Sequence, residues 1–284
     1  MTPTAITLSG LTGALAGLSY GNPANPPVIA LHGWLDNAAS FTPMAELLDK
    51  FHVVALDFPG HGQSAKRPRG TKYHLTDYVA DVAHGVEDLG FSRFHLMGHS
   101  LGAGVAIVYA ALYPEKVQKL VLIDGIGPIS APPEAAAGRL RKAVDAGLEA
   151  VRADGRAPAK PRQWPSLVAA RRKASPLSEA AAELLLKRGT TQFDKGVTVN
   201  ADPRIKHPSP LYLTEDVVLH FIRQVKAATL LLLAKDGMVI HRANTAERIN
   251  AFSNLKVVEC PGQHHLHMDD AAAITREIEV FLQE

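Results

Sequence analysis

The chain has 284 residues, of which 46% are hydrophobic and 20% charged, with a formal net charge of +2 at pH 7. That balance excludes a disordered or fibrous chain, and no run of lysine and arginine is long enough to make a nucleic-acid-binding face. The lone cysteine, Cys260, excludes an intrachain disulfide framework and a four-thiolate zinc site, which predicts a reducing compartment, the cytoplasm.

In chain order, residues 6–20 read as a glycine-interrupted antiparallel pair at a sheet edge. Short apolar runs follow at 28–31, 53–56, 94–97, 120–123 and 230–233. Their continuous rather than alternating character indicates strands buried on both faces, as in a parallel sheet covered by helices. Between them, Leu75, Tyr78, Val79, Val82, Val86 and Leu89 recur at helical spacing, with Thr76 as the expected N-cap and Gly90 just past the end. Leu101, Val105, Val108, Tyr109 and Leu112 do the same before Pro114. A strand at 256–259 precedes a last helix carrying Ile274, Ile278, Phe281 and Leu282. The pattern is that of a mostly parallel, doubly wound α/β sheet. The first basic residue is Lys50, and the apolar run 230–234 is far too short to span a bilayer, so neither an export signal nor a membrane span is expected.

Residues 128–225 break the alternation. This stretch has no strong strand, carries prolines at 132, 133, 158, 161 and 165, and shows helical pieces at 133–151 and 177–188. Its 16 basic and 10 acidic residues leave it near +6, whereas the remainder is near −4. We therefore expect a helical module at 128–225 inserted into a core made of 1–127 and 226–284. The cluster Arg171-Arg172-Lys173 reads as a solvated helix face, or as a weak attraction for anionic substrates at a cleft rim.

Gly98-His99-Ser100-Leu101-Gly102 is a G-x-S-x-G that follows a strand and opens a helix. A serine projecting from so tight a turn needs glycines on both sides, because only they allow the strand and helix to approach closely. Ser100 is thus the candidate nucleophile. A nucleophilic serine needs a base, and His264, His265 and His267 all lie between the strand at 256–259 and the last helix. These three have neither i, i+4 spacing on a helix nor an H-E-x-x-H pattern, so no metal is expected. The base needs a carboxylate to fix its tautomer, and two aspartates end strands in the required order Ser, Asp, His: Asp124 and Asp236. Asp57-Phe58-Pro59-Gly60-His61-Gly62-Gln63-Ser64 reads as a structural turn.

Together these motifs resemble the α/β-hydrolase fold family over the whole chain, with 128–225 in the place of its helical cap. The wording of residues 31–41, LHGWLDNAASF, with Pro261-Gly262-Gln263-His264 and His267-Met268, is similar to the serine hydrolase-like (Kraken-type) group. The segments Asp202-Pro203-Arg204, Pro208-Ser209-Pro210-Leu211 and Leu213-Thr214-Glu215 resemble a recurrent cap sequence of bacterial relatives. The resemblance implies His264 as base, with His265 as the alternate. His32-Gly33-Trp34 resembles an oxyanion motif, implying donors from the amides of Trp34 and Leu101; the Trp34 ring itself reads as a core aromatic. The family's usual G-x-x-D maps onto Ala234-Lys235-Asp236-Gly237 and puts glycine where the acid should stand, with Asp236 one residue early. A one-residue slip at a strand end turns a side chain to the other face, which favours Asp124 with Asp236 as the alternate acid. A serine at the elbow argues against the dehalogenase and epoxide hydrolase relatives, which need a carboxylate there. What the resemblance implies is a serine hydrolase of carboxylic esters acting through an acyl-enzyme, without a cofactor, on a small-molecule ester or acyl substrate, as a monomer or homodimer. A thioesterase, a lactonase or a carbon–carbon bond hydrolase could use the same residues, and a ligand-binding module with an inert triad is the reading outside enzymes.

Overall fold

A computed structural model describes residues 2–153 and 161–284. Its strands in chain order are β1 (Thr4–Leu8), β2 (Leu15–Tyr20), β3 (Pro27–Leu31), β4 (His52–Leu56), β5 (Phe94–His99), β6 (Val117–Ile123), β7 (Thr190–Phe193), β8 (Gly196–Val199), β9 (Ala228–Ala234) and β10 (Leu255–Cys260). The helices are α1 (Thr42–Ala45), α2 (Leu75–Leu89), α3 (Leu101–Leu112), α4 (Ala136–Ala153), α5 (Trp164–Ala174), α6 (Glu179–Arg188), α7 (Glu215–Gln224), α8 (Thr245–Ala251), α9 (Leu266–Asp269) and α10 (Ala271–Gln283).

Eight strands form one sheet in the order β1-β2-β4-β3-β5-β6-β9-β10. From β4 to β10 every neighbouring pair is parallel, and the antiparallel pair β1 and β2 closes the other edge, as the glycine-interrupted amino-terminal segment implied. Strand residues alternate between two apolar layers. Ile29, Leu31, Val54, Leu56, Leu96, Leu122 and Leu231 face α2, α3 and α7, while Val28, Ala30, Val53, Met97, Val121, Ile123 and Leu230 face α1 and α10. Each fully buried aliphatic side chain contributes about 1.5–3 kcal/mol of transfer free energy, which is why continuous apolar runs mark the central strands. Among the described residues no helix is long and apolar enough to cross a membrane.

Helix boundaries differ from expectation in two places. The N-cap of α2 is His74, not Thr76, because the Asp77 carboxylate reaches back to accept from the His74 amide at 3.0 Å. The helix expected over 177–188 begins at Glu179, where the Ser178 hydroxyl accepts from the Ala181 amide at 3.2 Å.

The segment between β6 and β9 contains α4, α5, α6 and α7, and also a hairpin that the sequence analysis did not expect. The strands β7 and β8 pair antiparallel around Asp194-Lys195, with Gly196 at φ 133° taking the turn conformation that other residues avoid. Leu167 and Val168 of α5, with Ala182 and Leu185 of α6, form a small cluster of their own that also takes in Met268. Helix α7 instead packs on α3, and its Val218 and Ile222 are fully buried in the main core. Of the prolines expected here, Pro158 lies outside the described residues.

Candidate active site

Ser100 sits between the last residue of β5 and the first of α3, at φ 51° and ψ −110°. A Cβ on Gly98 would collide with the Gly102 backbone, and one on Gly102 with the Leu31 carbonyl, so both glycines are required by the close packing of β5, α3 and β3. Among the described residues only three other than glycine have positive φ: Leu35 at 65°, Ser100 at 51° and Asp124 at 38°. All three lie at one end of the sheet. Such conformations cost about 1–3 kcal/mol each and persist where surrounding structure fixes them.

The sheet topology brings Ser100, His264 and Asp124 together. The Ser100 hydroxyl lies 2.9 Å from His264 Nε2, and His264 Nδ1 lies 2.6 Å from Asp124 Oδ2. With the carboxylate ionised, Nδ1–H donates to Asp124 and Nε2 is left with a lone pair for the Ser100 hydroxyl hydrogen. Burial lowers the His264 pKa from its ordinary value, and the hydrogen bond and charge of Asp124 oppose that shift. Asp124 is fully buried, and the Ala234 amide donates to its Oδ1 at 3.3 Å. A Cβ on Gly237 would stand 2.7 Å from Asp124 Oδ2. The glycine at the usual acid position is therefore the residue that makes room for the carboxylate arriving from β6. Asp236 is exposed, and its amide donates to the Gly262 carbonyl at 3.0 Å; its carboxylate is not among the hydrogen-bond partners of His264.

Trp34 and Leu35 form the tip of a turn closed by the Asp36 amide donating to the Gly33 carbonyl at 3.1 Å. His32 braces this turn from below, its Nδ1–H donating to the Gly33 carbonyl at 2.7 Å while Nε2 accepts from the Phe58 amide at 3.0 Å. The Trp34 ring is no core aromatic: it is 51% exposed, and its Nε1–H donates to the Ile205 carbonyl, between β8 and α7, at 3.1 Å. The Leu101 amide begins α3 and has no acceptor within that helix. The turn at residues 57–64 is structural, as expected. Asp57 is fully buried, accepts from the Ala38 and Gln63 amides at 2.7 and 2.8 Å, and pairs with Arg188 at 2.8 Å.

His265 and His267 do not touch Ser100. His265 Nε2 lies 3.3 Å from the buried carboxylate of Asp36, and its Nδ1 lies 3.3 Å from the Ser175 hydroxyl. His267 is fully buried, its ring tilted against that of His99 with centroids 4.2 Å apart, and burial lowers its pKa well below the ordinary histidine value. Arg171 is not part of a solvated face, since its guanidinium pairs with Asp36 beneath the site; Arg172 does remain exposed, 3.5 Å from Glu179. Asp36, His99 and His265 bring a carboxylate and two imidazoles within 4.8 Å of one another, a set of metal-ligating type. The Arg171 guanidinium already bonds that carboxylate and lies 3.4 Å from His265 Nε2, so a cation of the protein's own holds the position a metal would take. Asp36 and His99 carry no expected role from sequence; their one available signal is that both are ionisable residues inside the LHGWLDN and GHSLG motifs.

The chain matches the family described as the alpha/beta hydrolase fold over residues 26–271. It is 36% identical to a serine hydrolase-like protein of Danio rerio across 95% of this chain and 86% of that one. It is 34% identical to serine hydrolase-like protein 2 of Homo sapiens across 95% of this chain and 91% of the relative. Among solved structures, that of a hypothetical protein of Pseudomonas aeruginosa PAO1 superposes with a TM-score of 0.91 at 39% identity, covering 99% of each chain.

Proposed function

The chain belongs to the α/β-hydrolase fold family, and from that membership we propose that it is a serine hydrolase cleaving carboxylic esters through an acyl-enzyme. The observation that carries this reading is the unbroken chain from the Ser100 hydroxyl through His264 to Asp124, at 2.9 and 2.6 Å. Ser100 Oγ attacks the ester carbonyl carbon while its proton passes to His264 Nε2. The amides of Trp34 and Leu101 hold the oxyanion that forms on the carbonyl oxygen. Collapse of the tetrahedral adduct breaks the carbon–oxygen bond, and the proton on Nε2 moves to the departing alcohol. Water then repeats the sequence on the acyl-enzyme, releasing the acid and restoring Ser100. Asp124 stays ionised throughout, holding His264 in the productive tautomer and stabilising its imidazolium.

We read residues 128–225 as a cap that shapes the acyl or alcohol pocket, and the substrate as a small ester or acyl compound. A single cysteine fits a cytoplasmic protein. The deciding experiment is intact-mass analysis after incubation with a fluorophosphonate, comparing the parent with Ser100→Ala. One adduct on the parent and none on the variant is the expected result. A folded parent that takes no adduct would leave a ligand-binding module in its place. Relative rates on esters, thioesters and lactones then separate the acyl chemistries.

A further inference from the structure

Behind the three residues just assigned lies a buried polar group that their chemistry does not use. His99 is the last residue of β5 and is covalently joined to Ser100; its ring is fully buried, and Nε2 lies 2.9 Å from the main-chain carbonyl oxygen of His264. A carbonyl only accepts, so Nε2 carries the hydrogen and donates it. One residue therefore holds the nucleophile through its backbone and the base through its side chain. The other ring nitrogen, Nδ1, is then an acceptor; it stands 3.4 Å from Asp36 Oδ2 without a hydrogen bond, and that oxygen also lies 3.3 Å from His265 Nε2. Asp36 is in turn clamped by Arg171 of α5 and lies beside His265. Gly33 permits the arrangement, since a Cβ there would stand 2.8 Å from both Asp36 Oδ2 and His99 Nδ1.

We propose that His99 is a positioning residue for the base: its Nε2–H holds the main chain of His264 so that the imidazole stays between Ser100 and Asp124. This rests on the serine hydrolase reading above. The His264 loop runs from Cys260 at the end of β10 to Leu266 at the start of α9, and its main-chain ties at the Cys260, Gly262 and Gln263 carbonyls leave the His264 carbonyl to His99. An anchor at the His264 carbonyl fixes the one point from which a small rotation would pull Nε2 off the Ser100 hydroxyl. Misplacement of about 1 Å at a catalytic group is enough to cost orders of magnitude in rate.

Glutamine and asparagine at position 99 separate the two ring nitrogens. The amide of His99→Gln reaches where Nε2–H was, whereas that of His99→Asn reaches only where Nδ1 was; His99→Leu removes both. For Asn and Leu, kcat and the rate of fluorophosphonate labelling are expected to fall about tenfold, the scale of one lost hydrogen bond, with KM within twofold of the parent. Gln is expected to recover both rates to within about threefold. Thermal unfolding identifies the folded variants, and the Gln and Asn pair decides the matter if Leu does not fold. A parent that takes no adduct at Ser100 overturns the hydrolase reading and this one with it. A parent that labels while Asn matches it, or while folded Gln falls as far as Asn, overturns the positioning role alone.

Discussion

The sheet and helices α5 and α6, which lie between β6 and β9 in the chain, are held by different forces. In the sheet, Leu96, Leu122, Leu230 and Leu231 are completely buried, and two apolar layers account for its order. In the segment between β6 and β9, α7 joins the main core through Val218 and Ile222, whereas α5 and α6 form one small apolar cluster and are tied by charge, Arg171 on Asp36 and Arg188 on Asp57; Glu215 at the start of α7 pairs with Arg248. Apolar packing has no direction, whereas an arginine fork on a carboxylate specifies one geometry. The difference separates the two regions, with the proposed chemistry on the sheet and ion pairs setting how α5 and α6 sit against it.

The largest test of that division removes a core carboxylate. Asp124→Asn is expected to lower kcat by about four orders of magnitude, because the amide leaves His264 in the wrong tautomer while preserving shape. Asp236→Asn is expected to stay within about twofold of the parent, since its side chain is exposed and is not among the hydrogen-bond partners of His264. Steady-state rates on one ester decide it, and collapse of the second variant with retention in the first would reverse the assignment.

Next in size is the joint between the regions. Arg188→Met leaves Asp57 fully buried with two backbone amides but no countercharge. Breaking one side of a buried pair costs about 3–5 kcal/mol. In a chain of this size that is a fall in Tm of roughly 6–20 °C. Arg172→Met, which breaks the exposed contact with Glu179, is expected to change Tm by no more than about 2 °C. The double change Arg188→Met with Asp57→Asn recovers much of the loss, because no charge is then stranded. Equal effects of the two arginines in thermal unfolding would show that burial does not set the strength of these joints.

The same division separates what the sequence discloses from what it does not. Strands β3 to β6 and β9 are legible because burial on both faces leaves unbroken apolar runs, and Ser100 because its glycines are a local steric requirement. Asp124 is legible through Gly237, an absence at the usual acid position that the structure turns into the space for the carboxylate. Arg171 and Asp36 are 135 positions apart, and His99 and the His264 carbonyl 165, so no local periodicity announces either contact. The basic cluster at 171–173 looked uniform because sequence records charge and not direction; one arginine of it points inward and one outward. The hairpin of β7 and β8 was hidden by its exposure, since few buried apolar residues mark its strands.

The smallest expected effect lies at the root of the insert and tests whether its ties are ionic. Arg248 is 1% exposed and donates to the Ile126 and Pro128 carbonyls at 3.2 and 2.8 Å, where the chain leaves the core. It also donates to both oxygens of Glu215 at 2.7 Å, near where the chain returns. Hydrogen bonding from Arg248, opposed by partial burial and reinforced by Ser130 and Asn244, lowers the Glu215 pKa from 4.5 to about 2. A folded-state pKa below the unfolded one means that the carboxylate contributes stability above about pH 4.5 and loses it as pH falls toward 2. Glu215→Gln keeps an acceptor for Arg248, whose carbonyl partners remain, so the expected loss at pH 7 is only about 1 kcal/mol, or roughly 2–4 °C in Tm. That gap between parent and variant is constant from pH 7 to about 5 and closes on further acidification. A gap that persists unchanged to the lowest pH at which both proteins fold would make the contact steric rather than ionic, and the Glu215–Arg248 join would then add only to the packing that already buries Val218 and Ile222.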